Sequence, residues 1–106
     1  MDEFTRESSI KATKKPHRCL CCHQRIEAGS PANYFAQKYD GEFHSGHMHP
    51  DCRNAEVAWN GLMDTWGDDW SPLYTIKESD DAKEYCAWLA EKFPDVAARM
   101  GIPANA

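Results

Sequence analysis

The sequence lacks any long hydrophobic run, and residues 1–16 are mostly polar and charged. It therefore predicts neither a membrane span nor a secretory signal, and we expect a cytoplasmic protein. Hydrophobic side chains themselves are not scarce, because 42% of the residues are apolar and the chain holds four Trp, four Tyr and four Phe. That content is too high for a disordered chain, so we expect a folded one.

An excess of basic residues is also missing. The 106 residues carry 12 Lys and Arg against 17 Asp and Glu, a formal net charge of −5. Residues 1–53 are nearly neutral, with eight basic and seven acidic side chains, whereas residues 54–106 carry four and ten. Such a chain has no overall basic footprint for a phosphate backbone, so nucleic-acid binding has to rest on local features.

The cysteines indicate a metal site rather than disulfides. There are five of them, an odd number, and three lie within residues 19–22. In a reducing cytosol such cysteines are more often metal ligands than disulfide partners. A chain this short buries only about 60–65% of its unfolded surface, so a metal ion that staples the fold is physically useful.

Two pairs of residues have the spacing of a zinc site. Cys19 and Cys22 form a CxxC pair, and His49 and Cys52 form a second pair with the same spacing. Two close pairs, joined by enough chain to fold back, bring four donors to a tetrahedron with little strain. At positions i and i+3 of a helix, His49 and Cys52 share a face. We therefore predict one structural Zn²⁺ bound by Cys19, Cys22, His49 and Cys52.

Other ligands and a catalytic role remain as alternatives. Cys21 lies inside the CxxC pair and His47 lies two residues before His49, so either could replace a predicted ligand. His44, His47 and His49 together would suit a catalytic metal centre. However, no suitably placed Glu or Asp serves as a general base, and three thiolates normally fill a structural site. We predict no catalytic residues and lean against an enzyme.

The chain is expected to form a single domain with three parts. A flexible arm (1–16) precedes a zinc module (17–63), and an acidic loop with a helical extension (64–106) packs on the module. Asp40-Gly41 separates two strand-like runs and is typical of a two-residue hairpin turn, which would return His49 towards Cys19. The expected elements are strands over 33–39, 42–45 and 73–76, a helix from Pro50, a second helix ending near Lys92 and a short turn from Pro94.

The predicted fold class is therefore α+β, a small treble-clef-like zinc finger with a helical C-terminal extension. Over residues 18–54 the CxxC pair, Ile26, Gly29, the Asp40-Gly41 turn and His49-x2-Cys52 resemble the zinc finger of poly(ADP-ribose) polymerases and DNA ligases. They are similar also to small, mostly uncharacterised bacteriophage and prophage proteins. The resemblance implies a compact finger and the Cys-Cys-His-Cys ligand role for these four residues.

The expected function is that of a non-enzymatic zinc module that binds a protein, as a phage or prophage accessory factor. The acidic second half and an aromatic loop around Trp66 and Trp70 favour it. The alternative is a nucleic-acid-binding finger, whose phosphate contacts would come from Lys11, Lys14, Lys15, Arg18, Arg25 and Lys38. A metal-dependent nuclease of the His-Asn-His type ranks last, because the sequence has no clear His-Asn-His arrangement.

Overall fold

The structure is a computed structural model that describes residues 4–39, 42–65 and 69–102. The chain divides into two compact units, Met1–Pro50 and Asp51–Ala106. Antiparallel sheets make up the first unit and helices the second, so the predicted α+β class is confirmed. The division falls inside the first turn of a helix, whereas the predicted zinc module extends to residue 63.

Five strands form the first unit: β1 (Phe4–Ile10), β2 (His17–Arg18), β3 (Arg25–Ile26), β4 (Ala32–Tyr39) and β5 (Glu42–Met48). Strands β1, β4 and β5 form one antiparallel sheet in the order β1-β4-β5, and β2 pairs with β3. Tyr39 lies opposite Glu42 in the β4–β5 pair. The predicted strand pair is thus confirmed, and its Asp40-Gly41 turn lies outside the described residues.

The N-terminal segment differs from the predicted flexible arm. Strand β1 pairs antiparallel with β4 along its whole length and ends with Ile10 opposite Ala32. Residues 6–9 of β1 are all exposed, so the side chains on both faces of the strand are in contact with water there. An edge strand of this kind has no alternation of polar and apolar residues, and that alternation is the pattern by which a strand is recognised in sequence.

The basic stretch after β1 is also held in place, through Thr13. This side chain is only 6% exposed. Its amide donates to the Ser30 carbonyl at 2.9 Å, and its own carbonyl accepts from the Gly29 amide at 2.8 Å. The Thr13 hydroxyl donates to the Glu27 carbonyl at 3.0 Å. Gly29 lies in a turn and has a φ of 89°, a conformation that favours glycine.

The second unit contains α1 (Pro50–Met63), which begins one residue before the boundary, a 3₁₀ helix (Leu73–Glu78), α2 (Ala82–Lys92) and α3 (Pro94–Arg99). The prediction of a short strand over residues 73–76 was wrong. Leu73 and Ile76 are both fully buried. Their spacing of three residues puts both side chains on one side of a 3₁₀ helix. The Thr75 amide also donates to the Pro72 carbonyl at 3.0 Å.

The buried face of α1 includes two polar residues that the sequence pattern did not single out. Its buried residues are Cys52, Ala55, Glu56, Trp59 and Asn60. Leu62, an apolar residue near the end of α1, is by contrast 56% exposed. Burial of a carboxylate and an amide requires hydrogen-bond partners, and the segment before the 3₁₀ helix supplies them.

Glu56 and Asn60 hold residues 70–73 through backbone and side-chain groups. The Leu73 amide donates to Glu56 Oε1 at 2.8 Å, and the Trp70 indole donates to Glu56 Oε2 at 3.1 Å. Asn60 Oδ1 accepts from the Ser71 amide at 2.8 Å, while Asn60 Nδ2 donates to the Ser71 carbonyl at 2.9 Å. These bonds replace regular secondary structure over this stretch.

The two units have cores of different kinds. In the second unit the fully buried side chains include Trp59, Leu73, Ile76, Leu89 and Val96. Among the described residues before Pro50, the buried apolar side chains are Cys19, Cys21, Cys22, Ile26, Ala32, Ala36 and Met48. Three of these seven are cysteines and none is aromatic. The first unit therefore has little apolar volume of its own to bury.

Candidate metal centre

Backbone hydrogen bonds close the turn that carries the CxxC pair. The Cys19 amide donates to the Gln24 carbonyl at 2.9 Å, and the His23 amide donates to the Cys19 carbonyl at 3.0 Å. His23, just after Cys22, has a φ of 63°, a conformation that His adopts more readily than bulky residues do. The turn is fixed at its base by the pairing of β2 with β3.

Strand β5 runs alongside this turn and so brings His49 to it. The Leu20 amide donates to the His47 carbonyl at 3.0 Å, and Cys19 forms a parallel bridge with His47. The Leu20 side chain lies against Gly46. A Cβ atom at position 46 would be 2.3 Å from Leu20 Cδ1, which is closer than two non-bonded carbon atoms approach each other. Glycine at this position therefore permits the contact.

The four predicted ligands lie together. The three cysteine sulfurs and one imidazole nitrogen of Cys19, Cys22, His49 and Cys52 are all within 4.8 Å of one another, a group that could hold one metal ion. Cys22 Sγ lies 3.4 Å from His49 Nδ1. In a tetrahedral zinc site with Zn–S of about 2.3 Å and Zn–N of about 2.0–2.1 Å, these two atoms would be about 3.6 Å apart. The donor set fits such an ion in chemistry and in spacing.

Backbone amides stabilise negative charge on the sulfur of Cys19. The amides of Cys21 and His49 both donate to Cys19 Sγ, each at 3.4 Å. Donors aimed at a sulfur favour its thiolate form, which is the form that binds a metal. Cys19 and Cys52 are fully buried and Cys22 nearly so. Uncharged thiols would not need this arrangement of donors.

An arginine that sequence reasoning missed contacts the fourth predicted ligand. Arg99, at the end of α3, donates through Nη2 to Cys52 Sγ at 3.3 Å and also to Asp51 Oδ1. A divalent ion bound by three thiolates and a neutral imidazole would leave a net charge of −1, which this guanidinium offsets. Arg99 follows Cys52 by 47 residues. No local motif relates the two positions, so only the fold reveals the contact.

The alternative ligands Cys21 and His47 lie outside the four-residue group. The His47 ring stacks on that of His17, with ring centroids 3.6 Å apart and planes 15° from parallel. Burial, and then the positive charges of His17 and Lys15, lower the pKa of His47 below its usual value, which favours the neutral ring at neutral pH. His44 is exposed near Glu42 and is not part of the group either.

The aromatic loop is described only in part. Trp66, Gly67 and Asp68 lie outside the described residues. Trp70 is half-buried, with its indole bonded to Glu56 and the Arg53 guanidinium carbon 5.2 Å from its ring centroid. These contacts give Trp70 a structural role within the second unit.

Cys86 on α2 is half-buried, as a small apolar residue would be. Burial raises the pKa of its thiol, and Lys77 opposes that shift in part.

No family model, curated protein or solved structure matches this chain. Fold and site therefore define its class by themselves: a small α+β protein with a Cys3His group that could hold one metal ion. The likeness to the polymerase and ligase fingers stays a prediction. Among the described residues, no helix has the length and hydrophobicity that crossing a bilayer requires.

Proposed function

We propose that this chain is a structural-zinc module of treble-clef type that acts by binding a protein partner. The observation that carries the proposal is the closed set of four donors, three of them buried cysteine sulfurs, within 4.8 Å of one another. Such a set fills the four positions of tetrahedral zinc, whereas catalytic zinc keeps one position for water or substrate. The chemistry of the site thus favours a structural ion, which supports a function that the protein surface carries.

Zinc is the ion that suits this donor set best. Thiolate and imidazole ligands in tetrahedral arrangement select zinc over magnesium and calcium, which prefer oxygen ligands. The order of a CxxC turn, two antiparallel strands and a helix whose first turn carries the last predicted ligand supports the treble-clef type that we propose. The small apolar core of the first unit supports a folding role for the ion, because metal affinity then contributes directly to folding.

Metal analysis of cysteine variants tests the zinc assignment. We expect the purified chain to hold about one zinc per protein. Cys19→Ser and Cys52→Ser should lose the metal and unfold at least the N-terminal half, as seen by circular dichroism. Cys86→Ser and Cys21→Ser are the matched controls and should keep the ion. A metal-free protein that retains its spectrum in strong chelator would refute the proposal, and metal loss from Cys21→Ser would assign a ligand role to Cys21.

Partner binding is tested by affinity capture from bacterial lysate. We expect a protein that the zinc-loaded chain retains and that Cys19→Ser does not. The resemblance to phage and prophage proteins makes a bacterial host component the natural candidate. Retention that is identical for both forms would show that the zinc-held fold is not the binding surface.

Nucleic-acid binding is the second candidate, and one observation favours it. Residues 8–26 contain five Lys and Arg and no Asp or Glu, in a chain that is acidic overall. A gel-shift series with nicked, duplex and single-stranded DNA at low and moderate salt tests it, because phosphate contacts weaken steeply as salt rises. Absence of any shift at low salt would remove this candidate.

A further inference from the structure

Two arginines face each other across the strand pair that supports the CxxC turn. Arg18 of β2 lies directly opposite Arg25 of β3. Residues paired in this way project to the same face, with Cβ atoms about 4.5–5.5 Å apart, and like charges at such positions destabilise the pair. The five Lys and Arg of residues 8–26 have no acidic residue among them to relieve this repulsion. Water screens part of this repulsion at these two exposed positions, and the remaining positive potential favours an anion beside both guanidinium groups.

The nearest acid compensates only weakly. The Glu27 carboxylate lies 3.0 Å from Arg25 Nε, but the two side chains are 66% and 63% exposed. Exposed ion pairs contribute little, because water screens both charges. A guanidinium also carries five N–H donors, and the contact with Glu27 involves one nitrogen of Arg25.

Both arginines line the same open cleft. Its walls are formed by Pro16, His17, Arg18, His23, Gln24 and Arg25, and its volume is about 440 Å³. That volume is within the range of about 300–1,000 Å³ that is typical of ligand sites. Two planar guanidinium groups at one cleft match the paired oxygens of carboxylates, to which arginine donates in bidentate fashion.

We propose that the Arg18–Arg25 pair is a carboxylate-binding site that receives a short Asp- and Glu-rich segment of the protein partner. The proposal rests on the protein-binding function proposed above and names the chemistry of that partner. Among the described residues that line the cleft, none is Phe, Tyr or Trp, and the aromatic rings present are the smaller ones of His17 and His23. The net charge of −5 also opposes a long polyanion more than it opposes a short acidic segment.

The test uses the full-length zinc-loaded protein and a short fluorescent peptide of alternating acidic residues and glycine. Binding is followed by anisotropy at low and at physiological salt. The matched probe replaces each Asp and Glu by Asn and Gln, and an oligonucleotide of equal charge is the third probe. We expect the acidic peptide to bind, its amide counterpart not to bind, and the oligonucleotide to bind more weakly than the acidic peptide.

Variants locate the site. Arg18→Gln and Arg25→Gln should each weaken binding of the acidic peptide by about tenfold or more, the effect of losing a charged hydrogen bond. Arg18→Lys and Arg25→Lys keep the charge but lose the bidentate donor geometry, so they should fall between these variants and wild type. Lys83→Gln is the control: it removes one positive charge from an exposed position of α2 and should change binding of the acidic peptide less than twofold.

Several results would overturn the proposal. Equal binding of both peptides would exclude carboxylate recognition, and tighter binding of the oligonucleotide would assign the cleft to nucleic acid instead. If the Gln variants lower zinc content without changing peptide affinity, the pair serves the metal centre. Zinc content is measured for every variant. A zinc-loaded, folded protein that does not bind the peptide would refute the cleft assignment and leave the zinc module untouched. A zinc-free wild-type chain would refute the module itself.

Discussion

Removal of the Arg99 guanidinium should weaken zinc binding, although Arg99 follows Cys52, the predicted ligand that it contacts, by 47 residues. We expect Arg99→Met to lower zinc affinity while leaving every predicted ligand in place. The reason is that the Arg99 side chain donates to Cys52 Sγ and, through the same nitrogen, to Asp51. Met approximates the aliphatic part of the arginine side chain but has no charge and no donor.

The size of the effect follows from the contacts. A hydrogen bond to a charged group contributes about 1.5–3 kcal/mol, and loss of a group that orients a metal ligand typically costs about 10–100-fold in affinity. The ion pair between Arg99 and Asp51 does not include a metal ligand, so it is not counted as part of the zinc affinity. A loss of about 2 kcal/mol, within the range for the charged hydrogen bond, corresponds to a zinc affinity that is about thirtyfold weaker.

Competition with a colorimetric zinc chelator measures this affinity directly. Lys92→Met is the matched control, because it also exchanges a positive charge for methionine, and within the part of the chain that the structure describes the Lys92 ammonium pairs with the exposed Glu91 carboxylate at 3.7 Å. Arg99→Lys should recover part of the affinity, since it keeps the charge. If Arg99→Met binds zinc as tightly as Lys92→Met does, the contact between Arg99 and Cys52 does not affect zinc affinity, and charge compensation by Arg99 is refuted.

Three further predictions concern packing and reactivity. Glu56→Gln should destabilise the protein by about 1–3 kcal/mol in urea unfolding. Either orientation of the new amide turns its NH2 group towards a donor, the Trp70 indole or the Leu73 amide. Glu91→Gln is the control and should leave the stability unchanged. Gly46→Ala should cost about 1 kcal/mol by overpacking against Leu20, and the double variant with Leu20→Ala should cost less than the sum of the two single changes. Cys86 should alkylate more slowly at pH 8 than a free cysteine peptide, because a raised pKa leaves less thiolate; a rate at or above that of the peptide in mass-spectrometric mapping would contradict this.

Features encoded within a few residues were predicted well from the sequence. The spacing of the two ligand pairs, the strands around Asp40-Gly41 and the helix from Pro50 are all local patterns, and the structure contains the strands and the helix. It also brings the four ligands together, although their role as ligands stays a prediction. The prediction that the C-terminal extension packs on the zinc module likewise remains a prediction.

Features that depend on contacts distant in sequence were missed. Glu56 bonds to residues 14 and 17 positions further along the chain. In the sequence it looks like any exposed helical glutamate. Strand β1 was missed for a related reason, because its pairing with β4 uses backbone groups and its polar side chains face water. The 3₁₀ helix was mistaken for a strand because β-branched residues such as Ile76 are typical of strands.

The contact between Leu20 and Gly46 has a consequence for how such proteins diverge. One residue lies within the CxxC pair and the other three positions before the predicted histidine ligand, and an added side chain at position 46 would have to be accommodated at position 20. A homologue with a larger residue at position 46 is expected to have a smaller one at position 20. Coupled substitution at these two sites would help to identify distant homologues whose remaining sequence has lost all similarity.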